Sequence, residues 1–305
     1  MAFLPRCVNP EVYESSKELA KACITKNGFC ELKNFILPEY VNDLLEEAEA
    51  LKSAGFQSYD THNLYLESNT GSEKNTSLVE ETRAKLKETS FESGKTLVNQ
   101  QKLPKQSLLL ELYNWEGLKE LQRIAFNLPE LHQSADPLGG VYYNYFEKGQ
   151  QLGWHFDRSE YSMNLIIQEP DPATGGQFVY LPFSRDVVDK WIDFPTELND
   201  ILENPNVFNE GICRKGKDGR KDNPEQFFEV HTTINEGYGD CERRLKFLAP
   251  HLEPGSLYLF AGNLSLHCVT KVNGNTKTRI NAIFTYNRKP NETLNEYTRI
   301  KFFGE

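Results

Sequence analysis

The sequence predicts an α+β fold, with helices in the first half of the chain and strands in the second. Between residues 11 and 53, apolar residues recur at helical spacing, in VYESSKELAKACI and again in YVNDLLEEAEALKSA. After residue 139 the pattern changes to short runs rich in Tyr, Phe, Ile and Val that are bounded by Gly, Pro or Asn, as strands are. Helices and strands that occupy separate halves favour α+β over an alternating parallel sheet.

The elements of the first half follow from these patterns. The two leading helices flank a short strand, GFCELKNF, and Gly28 and Pro38 mark the breaks. Residues 57–106 are polar and only weakly periodic, so we expect a loop-rich segment that folds over another part of the protein. A further helical pattern, LLLELYNWEGLKELQRIAFN, follows.

The second half contains five strand-like runs, which are VYYNYF, YSMNLIIQE, QFVYLPF, SLYLFAG and RINAIFTYN. About seventy residues separate QFVYLPF from SLYLFAG, which is too long for an ordinary connection. They include a further candidate strand, FFEVHTTI. We therefore expect an insertion at about residues 184–253 with short elements of its own.

A single domain over residues 1–305 is the simplest organisation, because a strand-based core with helical additions can use that length. We expect a mainly helical and loop-rich part in residues 1–138, a strand-rich core in 139–288 and a C-terminal extension in 289–305. The helices and strands are expected to share one core.

Composition limits the partners and the location. The net charge of −10 disfavours nucleic acid, and the basic cluster at residues 214–221 has no interleaved aromatic residue and reads as a solvated loop. No apolar run suits a membrane span or a signal peptide, so the cytosol is the simplest location. Six cysteines without a C-x-x-C pair are expected to be free thiols.

Three residues form a candidate metal site. His155 and Asp157, in GWHFDRSEY, lie two residues apart, so on an extended strand both side chains point to the same face. His267, in NLSLHCVTKV, follows a predicted strand, and a neighbouring strand could bring it alongside. Two imidazoles and one carboxylate on one face of a metal suit a non-haem Fe(II) centre that keeps open positions. An H-x-D pair alone is a weak signal and is usually a surface coincidence.

Arg279 is the second feature, because it lies within the period-2 run RINAIFTYN, where a guanidinium is unusual. Its fork suits a carboxylate, so a dicarboxylate cosubstrate could chelate the metal with one end and pair with Arg279 at the other. A surface arginine is the alternative. His62 and His231 are candidate substrate contacts, with a structural or solvated role as the alternative.

The H-x-D pair, the distal His267 after PGSLYLF and Arg279 a dozen residues later resemble the Fe(II)/2-oxoglutarate-dependent dioxygenase superfamily. The likeness covers about residues 139–288 and includes TGGQFVY and LHCVTKV. It implies a double-stranded β-helix (jelly-roll, cupin-like) core with flanking N-terminal helices. It also implies Fe(II) bound by His155, Asp157 and His267, with 2-oxoglutarate and O2 as cosubstrates.

The resemblance further implies cosubstrate contacts from the strand before the first ligand, at Tyr143, Asn144 and Tyr145. Alternation puts the two tyrosines on one face, where core packing is the alternative, and Asn144 on the other. Halogenating relatives have a small residue where this chain has Asp157. Hydroxylation is therefore expected, with desaturation or cyclisation as other outcomes.

A looser likeness, in G-W-H-x-D and G-N-x-S-L-H, is to the branch of free-amino-acid hydroxylases and halogenases. It implies a small-molecule substrate, an amino acid or a related metabolite. The alternatives are a protein side-chain hydroxylase and a catalytically silent jelly-roll binding protein. Nucleic-acid demethylation is disfavoured by the charge.

Overall fold

The computed structural model describes residues 4–66, 85–86, 88–203, 226–235 and 240–305. Helices come first in the chain and a large antiparallel sheet dominates the rest, which confirms the α+β class.

The four principal helices are α1 (Pro10–Asn27), α2 (Pro38–Leu51), α3 (Leu108–Asn114) and α4 (Glu116–Ala125). Asn9 caps α1 by accepting hydrogen bonds from two backbone amides of the first turn, and Gly28 ends the helix with a φ of 67°. Shorter helices are α5 (Arg185–Val188), α6 (Glu197–Glu203) and α7 (Glu296–Thr298), and a π-helical turn, Arg299–Phe303, follows α7.

The strands are β1 (Phe29–Leu32), β2 (Phe56–His62), β3 (Phe91–Val98), β4 (His132–Gln133), β5 (Val141–Phe146), β6 (Gln151–His155), β7 (Ser162–Gln168), β8 (Phe178–Leu181), β9 (Gln226–Asn235), β10 (Asp240–Ala249), β11 (Leu257–Phe260), β12 (Leu266–Val269), β13 (Arg279–Phe284) and β14 (Tyr286–Asn287). Within the described ranges, twelve of them form one sheet in the order β1-β11-β7-β13-β5-β3-β6-β12-β8-β10-β9, with β2 paired to β3 beside this path. β14 pairs with β4 separately. The jelly-roll arrangement of these strands stays a prediction.

The expectation of a loop-rich segment at residues 57–106 is wrong where β2 and β3 lie. The two strands pair from Phe56↔Leu97 to His62↔Phe91, and β3 also pairs with β5 and β6. Most side chains of β2 are exposed or half-buried, so its sequence, FQSYDTH, carries no apolar alternation. Residues 67–84 lie outside the described ranges.

The expected insertion contains α5, α6 and the β9–β10 hairpin, and FFEVHTTI lies in β9 as predicted. The hairpin joins the main sheet where Leu248 of β10 pairs with Tyr180 of β8. The basic cluster at 214–221 and Cys213 lie outside the described ranges, and the five cysteines within them are free thiols.

One large buried cluster draws on both halves of the chain. Helical residues such as Ala20, Leu44 and Leu121 pack in it with strand residues such as Leu165 and Ala282. Among the helices of the described ranges, none combines the length and apolar character that crossing a membrane requires.

Candidate metal centre and cosubstrate cavity

Two neighbouring strands place the two candidate imidazoles side by side. His155 ends β6 and His267 lies in β12, and the two residues are direct partners in the antiparallel pair. Their ring centroids are 4.1 Å apart. Residues on paired strands at the same position share a face of the sheet, so both rings point the same way.

Asp157 follows β6, and two backbone hydrogen bonds fix the turn that carries it. The amide of Phe156 donates to the carbonyl of Leu64, and the amide of Asp157 donates to the carbonyl of Gly262. The Oδ1 atom of Asp157 then lies 3.5 Å from Nε2 of His155 and 3.4 Å from Nε2 of His267. The three ligand atoms lie within 4.8 Å of one another, so one ion can contact all three.

Backbone carbonyls orient both imidazoles. Nδ1 of His155 lies 2.8 Å from the carbonyl of Gly153, and Nδ1 of His267 lies 2.9 Å from the carbonyl of Ser265. A carbonyl can only accept, so each Nδ1 carries a proton and each Nε2 lies beside Asp157, where a neutral ring offers its lone pair. Histidines that bind metals are commonly held in this way.

The charge states of His155 and Asp157 suit a divalent cation. Burial, and next the neighbouring His267, lower the pKa of His155 to about 4. Burial acts to raise the pKa of Asp157, but the two imidazoles outweigh it and hold that pKa below its usual range. His155 is therefore neutral and Asp157 ionised near neutral pH, as metal ligands must be.

Gly262 makes room for the carboxylate. A Cβ atom on Gly262 would lie 1.9 Å from Oδ2 of Asp157 and 2.6 Å from its Cγ, so any side chain there would displace the ligand. In the sequence, the first residue of G-N-x-S-L-H was the available signal for this position, but its contact with Asp157 was not predicted.

The three residues line a cavity of about 310 Å³. Its other polar lining includes Lys95, Tyr142, Asn144, Asn164, Arg279 and Asn281. Its apolar lining includes Leu97, Phe146, Leu152, Phe178, Phe260, Ile283, Phe302 and Phe303, and Tyr258 lines it with its hydroxyl near Arg279. A volume of this size suits a small organic molecule.

Arg279 is 1% exposed and is held on two sides. Its Nη1 donates to Oδ1 of Asn281 at 2.9 Å, and Asn281 donates in turn to Oδ1 of Asn164 at 2.9 Å. Its Nε lies 3.2 Å from Oε1 of Glu169, as an ion pair without hydrogen-bond geometry. Burial raises the pKa of Glu169 to about 7, and Arg279 acts against that rise.

The remaining nitrogen of the guanidinium, Nη2, makes no hydrogen bond with any residue in the described part of the chain. A buried guanidinium that lines a cavity with one nitrogen unpaired fits an incoming carboxylate. The residues present thus fit both a divalent metal and a dicarboxylate that reaches Arg279.

The predicted contacts on β5 divide by face. Asn144 pairs with Asn281 across β5 and β13, lines the cavity, and has its Oδ1 without a hydrogen-bond partner among the described residues. Tyr143 and Tyr145 point the other way, and their hydroxyls donate to Oε1 of Glu47 and to the carbonyl of Ala48. The structure therefore brings Asn144 to the cavity and packs the two tyrosines against α2.

Of the two other candidate histidines, His62 lies near the metal site and His231 does not. The His62 ring centroid is 5.8 Å from that of His155, and Nε2 of His62 lies 2.6 Å from Oγ of Ser93. His231 is exposed on β9 and does not line the cavity. Lys95 and Tyr142 line the cavity, and neither was among the site residues predicted from the sequence.

No family model matches the sequence, and the search of curated proteins found no match. Several solved structures are similar in fold. They include a 2OG-Fe(II) oxygenase family oxidoreductase from Burkholderia pseudomallei, at 14% identity and a TM-score of 0.41, covering 96% of this chain and 98% of that one.

Two further solved structures are also similar in fold. The prolyl-4-hydroxylase of Pseudomonas putida has 12% identity and a TM-score of 0.43, with coverage of 88% of this chain and 97% of that one. The apo form of EctD from S. alaskensis has 15% identity and a TM-score of 0.46, with coverage of 94% and 82%. At these identities and scores, the function of this chain is inferred from its own site.

Proposed function

We propose that the protein is an Fe(II)- and 2-oxoglutarate-dependent oxygenase that oxidises a C–H bond of a small molecule. The observation that carries this proposal is the convergence of His155, Asp157 and His267 on one point of a cavity that also contains the buried, partly unpaired guanidinium of Arg279. A three-ligand set with open positions is the arrangement that non-haem Fe(II) oxygenases use.

Each described residue has a defined task in this proposal. His155, Asp157 and His267 hold the metal, and Arg279 binds the distal carboxylate of 2-oxoglutarate through its unpaired nitrogen. Asn281 fixes the orientation of Arg279, and Asn164 holds Asn281. When bound, the metal and 2-oxoglutarate supply the O2-dependent oxidation, with succinate and CO2 as the products of the cosubstrate.

Apolar side chains keep water from the reacting groups. Phe178 and Phe260 lie against His267, with ring centroids 5.9 and 4.9 Å from its ring, and both line the cavity. Charged and polar contacts are stronger in such a site than in water. The cavity therefore favours the pairing of Arg279 with a carboxylate.

Hydroxylation is the proposed outcome, because Asp157 occupies the ligand position that halogenation would need to be open. An amino acid or a related metabolite is the proposed substrate class, and the cavity volume of about 310 Å³ supports a small molecule. Succinate formation separates this function from that of a silent binding protein with the same pocket.

The test is metal binding and turnover in histidine variants. Purified protein should bind one Fe(II) per chain and form succinate from 2-oxoglutarate, and Mn(II) should bind without supporting turnover. His155→Ala or His267→Ala should lose both metal and succinate formation. Metal content and succinate are measured by elemental analysis and chromatography.

His231→Ala is the matched control, because His231 is exposed on β9 and does not line the cavity. It should behave as the wild type. Full metal retention in His155→Ala or His267→Ala would show that these residues do not hold the ion.

A further inference from the structure

Lys95 is a buried cation in the cavity that the proposed chemistry leaves without a role. It lies on β3 and is 6% exposed. Its ammonium nitrogen lies 4.7 Å from the ring centroid of Phe302, and both residues line the cavity. Among the described residues, no carboxylate forms an ion pair with it.

A buried ammonium without an anionic partner is unfavourable, and the surroundings of Lys95 show that cost. Burial lowers the pKa of Lys95 to about 8, although the charge of Asp157 opposes the shift. Lys95 therefore remains largely protonated at neutral pH, as a positive charge that faces the cavity. An anionic ligand would supply the missing partner.

Lys95 and Arg279 are separate positions. Arg279 is paired with Phe146 across β13 and β5, and its guanidinium carbon lies 5.7 Å from the Phe146 ring centroid. Lys95 belongs to β3, on the other side of β5. Two strand spacings separate the two backbones by roughly 10 Å, so the two cations enter the cavity from different strands.

The lining around Lys95 has an apolar and a polar part. Leu66, Leu152 and Phe302 lie with it along the small adjoining cavity, and Leu97 lines the main one. The adjoining cavity is also lined by Ser58, Asp60, His62, Ser93 and Lys301, and its carboxylate, Asp60, is paired with Lys301 at 2.8 Å. Within the described lining of the main cavity, Asp157 is the only acidic residue, and it belongs to the metal set. Lys95 thus places a positive charge beside the apolar side chains of Leu66, Leu152 and Phe302, and the nearby Asp60 already has Lys301 as its partner.

We propose that Lys95 binds a carboxylate of the substrate, and that the substrate class is a small organic acid with an apolar body. This inference rests on the proposed function, since it assigns the second cation of the same cavity to the molecule that is oxidised. It excludes uncharged and purely cationic small molecules as preferred substrates.

The test compares acids with their primary amides, which keep the shape and remove the charge. The probes are aliphatic carboxylic acids, free amino acids and N-acetyl amino acids, each with its amide. Dissociation constants are measured on metal-free protein by ligand-observed NMR, and stimulation of succinate release is measured with Fe(II) and 2-oxoglutarate. The variants are Lys95→Met and Lys95→Arg, with Lys148→Met at an exposed position between β5 and β6 as the control.

The best acid should bind at least about tenfold more tightly than its amide to the wild type and to Lys148→Met. In Lys95→Met that ratio should fall to about one, and Lys95→Arg should keep most of it because the charge remains. An unchanged ratio in Lys95→Met overturns the proposal, as do equal affinities of acids and amides, or the binding of no acid, in the wild type.

A further measurement is the dissociation constant of 2-oxoglutarate for metal-loaded Lys95→Met, which tests whether Lys95 binds the cosubstrate instead. A loss of 2-oxoglutarate affinity with the acid preference intact would assign Lys95 to the cosubstrate and overturn the proposal. Failure of the proposed function appears elsewhere, as a wild type that retains no Fe(II) and forms no succinate. The ratio of acid to amide on metal-free protein does not depend on that result.

Discussion

At the scale of single residues, the contact between Gly262 and Asp157 links two positions that are far apart in the chain. An added methyl group at Gly262 would collide with the carboxylate of Asp157. Gly262→Ala should therefore push the ligand away from the imidazoles and lower metal affinity by about 10- to 100-fold, as loss of a supporting contact does at metal sites. Titration with Mn(II), followed by the paramagnetic signal of the free ion, measures this.

Gly117→Ala is the control for overpacking. Gly117 lies on α4 and does not line the cavity, and a Cβ atom there would lie 2.3 Å from the Trp115 ring. It should reduce the free energy of unfolding by about 1 to 3 kcal/mol and leave metal affinity unchanged. Equal metal affinities in Gly262→Ala and the wild type would show that Asp157 is not held against Gly262.

Arg279 gives the second prediction at this scale. Arg279→Ala should weaken 2-oxoglutarate binding by about 2 to 4 kcal/mol, because a buried carboxylate would lose its partner. Arg279→Lys should recover only part of the affinity, since an ammonium cannot reproduce the planar fork. The measurement is calorimetric titration of Mn(II)-loaded protein, and an unchanged dissociation constant in Arg279→Ala would assign the anchor to another residue.

Lys95 gives a prediction of pH dependence. Its pKa is lowered to about 8, so the ammonium is charged below that pH and loses its charge above it. The charged and titratable groups that line its two cavities with it are Asp60, His62, Tyr142, His155, Asp157, Arg158, Tyr258, His267, Arg279 and Lys301. Affinity for the acid probes should be constant from about pH 7 to 8 and fall about tenfold for each further pH unit, while amides stay unaffected. A flat profile for the acids up to pH 10 would contradict this.

At the scale of elements, β5 carries different functions on its two faces. Its outer tyrosines bind α2, and Glu47 also accepts a hydrogen bond from Oγ of Ser107 at 2.6 Å. Tyr143→Phe or Tyr145→Phe should each cost about 1 kcal/mol in the free energy of unfolding, measured with urea, because each removes the hydrogen bond that the tyrosine hydroxyl donates to α2.

The affinity for 2-oxoglutarate should not change in either tyrosine variant, since the hydroxyls point away from the cavity. Asn144→Ala is the paired variant on the inner face, and it should weaken 2-oxoglutarate binding. A tenfold loss of 2-oxoglutarate affinity in Tyr143→Phe would instead support the cosubstrate contact that the sequence resemblance implied.

Sequence patterns predicted the strands that are rich in apolar and aromatic residues and the helices whose apolar residues follow a helical period. β13, α1 and α2 were found in this way. β2 and β3 were missed, because β2 is polar along the sheet margin and β3 is recognisable only through its pairing with β5 and β6.

The residues of the candidate site also differ in whether the sequence could predict them. His155, Asp157, His267 and Arg279 stand out by their own chemistry and spacing in strand-like runs. Lys95 does not, because a lysine in a polar segment looks solvated until the sheet folds around it.

At the scale of the whole molecule, ligand binding ties together strands from distant parts of the chain. The proposed metal ligands lie in or directly after the paired strands β6 and β12, and the proposed cosubstrate residue, Arg279, lies in β13. Mn(II) and 2-oxoglutarate, each at about 100 times its dissociation constant, should each add about 2.7 kcal/mol to the free energy of unfolding.

Thermal unfolding monitored by circular dichroism measures this gain. Asp157→Gly should lose most of the metal contribution and, with it, hydroxylation. A full metal contribution in Asp157→Gly would show that Asp157 is not the carboxylate ligand.

The pairing of His155 with His267 also determines when, during synthesis of the chain, the metal site can form. During synthesis, β6 leaves the ribosome long before β12, since residues 156–266 must be translated between the two imidazoles. A nascent chain that ends within the insertion has only His155 and Asp157 of the three ligands, and two ligands hold iron weakly. Sheet closure by such distant partners is slow compared with helix formation. Under the proposed function, we therefore expect iron to bind only after β12 has been translated.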